Sequence, residues 1–85
     1  MDNLWNQVLL ESEKHVSRPI FLTFFKPSKL ISYTSSVAII ETPTDVHALY
    51  TEKRFSSLIK DAMSKKTGEN VSLVFKFREK SKRYF

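Results

Sequence analysis

The sequence lacks cysteine altogether, contains a single glycine and has no long apolar run. Without cysteine there can be no disulfide bond, thiolate metal site or cysteine nucleophile. One glycine, Gly68, cannot supply the glycine-rich loops of P-loop and dinucleotide-binding proteins, nor the G-x-x-G loop with which K-homology domains hold nucleic acid. No stretch approaches the ~20 apolar residues of a membrane span, and none has the pattern of a signal peptide. We therefore expect a cytoplasmic protein that does not bind membranes.

Positive charge is concentrated at the C-terminal end of the chain. The formal net charge is +5, of which residues 78–85 carry +3 and residues 1–77 only +2. The smaller value is ordinary for the solvated surface of a small domain. With 41% hydrophobic and 13% aromatic residues, we expect residues 1–77 to form one folded domain. Residues 78–85 are expected to be the basic start of a flexible linker.

Residue types that carry catalysis are few and poorly placed. The histidines are His15 and His47, and neither has the i, i+4 partner of a metal-binding pair. Glu11 and Glu13 are two positions apart, so on a helix their carboxylates point to different faces. The serines lack the sequence context of an activated nucleophile. We expect no catalytic residue, no metal site, no cofactor and no enzymatic activity.

Two helices are predicted in the first third of the chain. The second begins at Ser17, whose hydroxyl can cap it, has Pro19 in its first turn and ends before Pro27. The first ends near His15, and its apolar positions recur at the helical period; they are Leu4, Trp5, Val8 and Leu9.

Three strands are predicted further along. Residues 30–33 and 37–40 are β-branched and aromatic runs that indicate a hairpin. The segment 34–36 between them contains no glycine, so we expect a loop of three or more residues rather than a tight two-residue turn. Alternation over residues 71–77 predicts a third strand with one buried face.

A third helix is predicted between the hairpin and the last strand. It begins at residues 42–45, where either threonine can act as N-cap, and it ends at Gly68. Its two apolar stripes are out of phase, because Tyr50 in the first and Phe55 in the second are five positions apart. We therefore expect the helix to kink or change direction around residues 52–54, leaving the charges of those residues on the outside.

The element order α-α-β-β-α-β predicts an α+β domain of two layers, in which a three-stranded sheet packs on helices. Its expected core is Phe21, Phe24, Ile39, Leu58, Ile59, Leu73 and Phe75.

Several short segments occur in a particular order and spacing; they are Leu4-Trp5-Asn6-Gln7, Ser17 to Phe24, Thr42 to Tyr50, Arg54-Phe55, Leu58-Ile59 and Thr67-Gly68. Together they resemble the N-terminal domain (domain I) of the bacterial chromosomal replication initiator DnaA, over residues 2–77. The resemblance implies the same element order and a fold related to K-homology domains. It also implies initiator self-association and the recruitment of replicative helicase and regulators at the replication origin. In that family ATP and origin DNA are bound by later domains, so the chain would be a fragment of a longer protein.

The resemblance implies two interaction surfaces. Self-association would use Leu4, Trp5 and Val8 on helix 1, placed near the two-fold axis of a symmetric dimer; burial of the lone tryptophan in the core is the alternative. Helicase and regulators would dock where helices 2 and 3 begin, at Ile20, Thr44, Asp45, Val46, His47 and Leu49. Ile20 and Val46 depart from the family pattern, which has an acidic residue and a phenylalanine there, and inward packing of both is the alternative.

Two other functions stay open from the sequence. One is a small single-stranded nucleic-acid-binding domain that uses the basic tail, with binding that depends steeply on salt. The other is a free-standing adaptor that mimics the initiator domain. For the interaction module itself, tethering several copies side by side on origin DNA would make a weak interface effective.

Overall fold

In the computed structural model, which describes residues 2–79, the elements follow the predicted order. The sheet has the order β1-β2-β3, with β1 antiparallel and β3 parallel to β2. The third helix packs against the first and against β2 and β3, so the helices cover one face of the sheet. The predicted α+β fold of two layers is confirmed. Its elements are α1 (Asp2–Glu13), α2 (Arg18–Ile20) with a following π-helical turn (Phe21–Phe25), β1 (Lys29–Thr34), β2 (Val37–Thr44), α3 (Asp45–Thr67) and β3 (Ser72–Glu79).

The short second helix is capped as predicted. The Ser17 Oγ accepts a hydrogen bond from the Ile20 N–H at 3.4 Å. The chain then widens into the π-helical turn, which buries two of its three phenylalanines in the core and leaves Phe24 half-buried. Ser28 closes the segment, because its Oγ donates a hydrogen bond to the Phe24 carbonyl at 2.7 Å.

The hairpin turn differs from the prediction. Thr34 pairs with Val37, so the connection has only two residues, Ser35 and Ser36, with φ of 51° and 62°. Positive φ at both positions is the geometry of a primed turn, whose twist matches that of the strands it joins. The absence of glycine did not exclude this turn, because pairing between the strands imposes the left-handed conformation on two serines. The conformation costs about 1 kcal/mol or more for each serine.

The core lies between the helices and the inner face of the sheet. Of the predicted core residues, Phe21 and Ile59 are buried, and four more are half-buried against the core: Phe24, Leu58, Leu73 and Phe75. The buried cluster itself consists of Trp5, Val8, Phe21, Phe25, Leu30, Ala38, Ile40, Ile59, Ala62, Met63 and Val71.

The prediction that Ile39 belongs to the core is wrong. β2 buries Ala38, Ile40 and Thr42, so Ile39 points to the opposite face of the sheet, where it is level with Val74 of β3. Residues 37–40 are apolar at every position, and such a run does not specify which face is buried. Which face of β2 is buried is determined by its pairing with β1 and β3.

The third helix runs without a break from Asp45 to Thr67, through the residues where the kink or change of direction is predicted. Val46 and Leu49 do not belong to its buried stripe and are exposed to solvent. Of the first apolar stripe, only Tyr50 is half-buried, so Val46 and Leu49 need not be brought onto the buried side of the helix. Gly68 ends the helix as predicted, with φ of 74° and its N–H bonded to the Ser64 carbonyl. The buried stripe is Ala48, Thr51, Ile59, Ala62 and Met63.

The last strand continues beyond its predicted end. Arg78 and Glu79 belong to β3, and the Arg78 guanidinium lies 3.2 Å from the Glu41 carboxylate on β2. These two residues are therefore part of the sheet, whereas residues 80–85 of the predicted linker lie outside the described residues. Residues 2–79 contain no helix with the length and apolar character of a membrane span.

Candidate protein-interaction site

The start of α3 is built by its own first residues. The Thr44 Oγ1 accepts a hydrogen bond from the His47 N–H at 3.2 Å and lies 2.9 Å from the His47 Nδ1. The Asp45 Oδ1 accepts a hydrogen bond from the Val46 N–H at 2.8 Å. The positive end of the helix dipole also stabilises a carboxylate at this position. Thr42, the other predicted cap, is buried in the sheet instead. Thr44, Asp45 and His47 thus have structural roles in starting the helix.

Two further predicted site residues, Val46 and Leu49, line a surface groove between the first turns of α3 and the end of β3. The groove has a volume of about 350 Å³. Val46, Leu49 and Phe77 are 42%, 54% and 44% exposed, and Phe75 is half-buried. We call this the α3–β3 groove, and its lining residues are Asp45, Val46, Ala48, Leu49, Glu52, Phe75 and Phe77.

The α3–β3 groove has the character of a binding surface. Apolar side chains that a monomer leaves exposed around a concave feature mark interaction sites. Here they stand on a helix and a strand, which hold them more precisely than loops would. Asp45 and Glu52 add negative charge. The arrangement suits a partner that inserts an apolar side chain and places basic residues around it.

His47 belongs to a different cluster, on another side of α3. The Phe24 ring stacks on Tyr50 with centroids 4.3 Å apart and an interplanar angle of 12°, and its centroid lies 5.3 Å from that of His47. The Arg54 guanidinium lies 5.6 Å from the centre of the Tyr50 ring. This cluster fixes the π-helical turn against α3, and Ile20 packs against the core. The predicted docking residues therefore divide between the groove, the aromatic cluster and the core.

The predicted self-association residues on α1 are largely internal. Trp5 is 6% exposed and its Nε1–H donates a hydrogen bond to the Ser28 carbonyl at 2.9 Å, while Val8 is fully buried and Leu4 is half-buried. A dimer through this helix would have to use neighbours such as Leu10, which is 64% exposed. The role of the three residues in self-association stays a prediction, and the structure gives Trp5 and Val8 a role in the core.

A larger groove, of about 580 Å³, lies between α1 and α3 and includes Leu58 and Ala62. On its α1 side the His15 Nε2 donates a hydrogen bond to the Glu11 carboxylate at 3.3 Å. This bond and the neighbouring Lys14 ammonium lower the pKa of Glu11. Within residues 2–79, no three histidine or carboxylate side chains are grouped so as to hold a metal ion.

Sequence reasoning missed the contribution of β3 to the site. Phe77 alternates with the inward positions Leu73 and Phe75, so the alternation assigns it to the buried face of the predicted strand. It lies level with Thr42, near the end of β2 and beside the start of α3, where the helical layer no longer covers it. The only sequence signal that Phe77 is exposed is its position at the end of the predicted strand.

Comparisons with known proteins agree on one family. The family model described as the DnaA N-terminal domain matches residues 2–65. Chromosomal replication initiator proteins DnaA from Borrelia garinii subsp. bavariensis and Lactiplantibacillus plantarum are 32% and 30% identical over 73 and 70 residues, which cover 86% and 82% of this chain. The protein of the same name from Flavobacterium psychrophilum is 23% identical over 77 residues.

A solved structure shares the fold. A chain from the crystal structure of a HobA-DnaA (domain I-II) complex from Helicobacter pylori matches with a TM-score of 0.77 at 16% identity, covering 89% of this chain and 98% of that one. The present chain spans only about 15% of the length of the curated relatives.

Proposed function

The chain belongs to the DnaA N-terminal domain family, and from this premise we propose that it is a protein-interaction module acting in the initiation of chromosomal replication. Its partners are replicative helicase, proteins that regulate initiation and further copies of the initiator. The module works in the cytoplasm as the first part of a longer protein, whose later domains bind ATP and origin DNA. It has no catalytic step of its own.

One observation carries this proposal: the α3–β3 groove presents exposed apolar side chains on two regular elements. Val46 and Leu49 supply them from α3, and Phe77 supplies one from β3. Truncating a well-packed apolar anchor at a protein interface typically costs more than about 1 kcal/mol. Two such anchors are enough for a reversible contact when several copies are held together.

A protein partner is further supported by the solved relative, in which DnaA domain I-II is in complex with HobA. We propose that a protein of this kind, or the helicase, docks over the start of α3. Asp45 and Glu52 would then face basic residues of the partner. His47 and Thr44 act indirectly, because they fix the first turn from which Val46 and Leu49 project.

The test is a titration of the 85-residue chain with the replicative helicase of the same organism. Calorimetry and NMR chemical shifts measure the binding. The variant Val46→Ser/Leu49→Ser should bind at least about tenfold more weakly, since that factor corresponds to about 1.4 kcal/mol. The matched control, Leu10→Ser/Leu22→Ser, removes leucines that are 64% and 40% exposed but do not line the groove. It should bind within a factor of about two of the unchanged chain.

Two results would count against this function. Helicase binding that both double variants weaken equally would place the contact outside the α3–β3 groove. Binding of single-stranded oligonucleotide that disappears when residues 80–85 are removed, without any helicase binding, would favour the nucleic-acid alternative.

A further inference from the structure

The free edge of β3 is a second feature without a partner among the described residues. β3 pairs with β2 on one side only, and β1 closes the other end of the sheet. The two edges differ, because the β1–β2 register shifts at Ile31, whereas β3 keeps a regular register from Ser72 to Phe77. A bulge is a usual means of protecting an edge from further pairing. The β3 edge has no such irregularity.

We propose that two copies of this chain associate through their β3 edges, antiparallel across a two-fold axis at Phe75, to form one continuous six-stranded sheet. A two-fold axis makes the same strand serve both sides of the contact. The backbone groups left unpaired at each edge would then bond to each other, as in strand addition. This contact would be the surface through which the copies named in the proposed function associate, and the inference rests on that function.

The sequence of β3 favours this register over its neighbours. Directly opposite residues must point to the same face, so registers differ by steps of two residues. Two registers keep the longest overlap. In the first, residues 72–78 of one copy pair with residues 78–72 of the other, centred on Phe75; in the second, residues 73–79 pair with residues 79–73, centred on Lys76. The second places Lys76 opposite the partner's Lys76, which is destabilising. The first places Lys76 opposite the partner's Val74 and avoids any pair of like charges.

The inner face is also complementary in the register centred on Phe75. Leu73 lies opposite the partner's Phe77, which is exposed in the monomer. Phe75 meets the partner's Phe75 on the axis, so each copy covers apolar surface of the other. Aromatic and aliphatic pairs of this kind stabilise antiparallel strands.

Charges on α3 match the same symmetry. Positions 45, 49, 52, 56 and 60 recur at helical spacing on the side of α3 next to β3. The first half of this stripe is acidic, with Asp45 and Glu52, and the second half carries Lys60, which lines a shallow depression with Leu73. Antiparallel pairing of the strands also sets the helices antiparallel, so the acidic half faces the basic half of the partner.

Disulfide crosslinking tests both the contact and its register. The chain contains no cysteine, so introduced thiols are the only ones present. Val74→Cys/Lys76→Cys places each thiol opposite one of the partner, with Cβ atoms about 5 Å apart, whereas the two thiols within one strand lie about 6.6 Å apart, too far to bridge. This variant should form a covalent dimer under mild oxidation. The control Val74→Cys/Arg78→Cys, which matches only the register centred on Lys76, should stay monomeric.

Sedimentation of the 85-residue chain at rising concentration gives an independent measurement. Val74→Lys places lysine opposite the partner's Lys76 and should weaken self-association at least tenfold, while Leu10→Lys on α1 should leave it unchanged. Equal crosslinking of both cysteine variants, loss of association in Leu10→Lys alone, or a chain that stays monomeric at millimolar concentration would each overturn the proposal. None of these results depends on helicase binding, so the two proposals can fail separately.

Discussion

Replacing Trp5 with alanine should destabilise the fold and not merely weaken contacts between molecules. The indole is 6% exposed, and its hydrogen bond to the Ser28 carbonyl ties α1 to the start of β1. Removing a buried aromatic side chain costs about 3–5 kcal/mol, a large part of the roughly 5–15 kcal/mol that stabilises a small domain. We expect the melting temperature to fall by roughly 15 °C or more, since each kcal/mol shifts it by about 4–8 °C.

Trp5→Phe separates packing from hydrogen bonding. The phenyl ring keeps most of the apolar volume but leaves the Ser28 carbonyl without its donor, which costs about 1–3 kcal/mol. The order of stability should therefore be tryptophan, phenylalanine, alanine. A residue that acted only at an intermolecular surface would show no such order in a dilute monomer.

Urea unfolding followed by far-ultraviolet circular dichroism measures these differences. Trp5 is the only tryptophan, so its fluorescence in the unchanged chain reports this site alone and should shift to longer wavelength on unfolding. The control Leu10→Ala truncates an exposed leucine on the same helix and should change stability by no more than about 0.5 kcal/mol. If Trp5→Ala unfolds at the same urea concentration as the unchanged chain but self-associates less, the assignment of Trp5 to the core is wrong.

Four further outcomes are expected. Thr44→Ala should lower the stability by about 1 kcal/mol through loss of the N-cap, and Thr44→Ser by clearly less, as measured by urea unfolding. Ser35→Asn/Ser36→Gly should raise it by about 0.5–1 kcal/mol, because these residues tolerate positive φ; an unchanged thermal midpoint would refute strain in the turn. Thr51→Val should raise it by about 1 kcal/mol, because the Thr51 Oγ1 is buried without a hydrogen-bond partner among the described residues; a drop in the urea midpoint would show that the hydroxyl is satisfied. His15→Ala should raise the pKa of Glu11 toward its ordinary value of 4.5, as followed by NMR titration. Because a lowered carboxyl pKa stabilises the native state above the unfolded value and this contribution is lost as the pH falls through the folded one, the same variant should lose less stability in acid.

The periodicity of α3 was more informative than its first interpretation. The five-residue step from Tyr50 to Phe55 puts the two apolar stripes out of phase, and from this the sequence predicts a kink or a change of direction. The helix is continuous, and the phase difference separates its buried face from the exposed apolar residues Val46 and Leu49. Apolar residues that do not fall on the buried face of a continuous helix are themselves a signal of an interaction surface.

Local signals were reliable where one residue decides the outcome. Ser17 and Gly68 begin and end their helices as expected, because a cap needs only its own side chain or its own φ. Ile39 and the Ser35-Ser36 turn were not predictable in the same way, because their conformations are set by pairing between strands. The sequence also could not determine whether Trp5 is internal, since the same α1 stripe suits a core and a dimer.

The parallel pairing of β2 with β3 has a consequence for synthesis on the ribosome. The two strands are joined only across the whole length of α3, so the central strand cannot be completed until residues after Thr67 have emerged. A nascent chain that ends within α3 holds the hairpin with one side of β2 unsatisfied, and such a species is prone to aggregate or to be bound by a chaperone. The sheet can therefore be completed only after β3 has been synthesised, even if the helices form earlier.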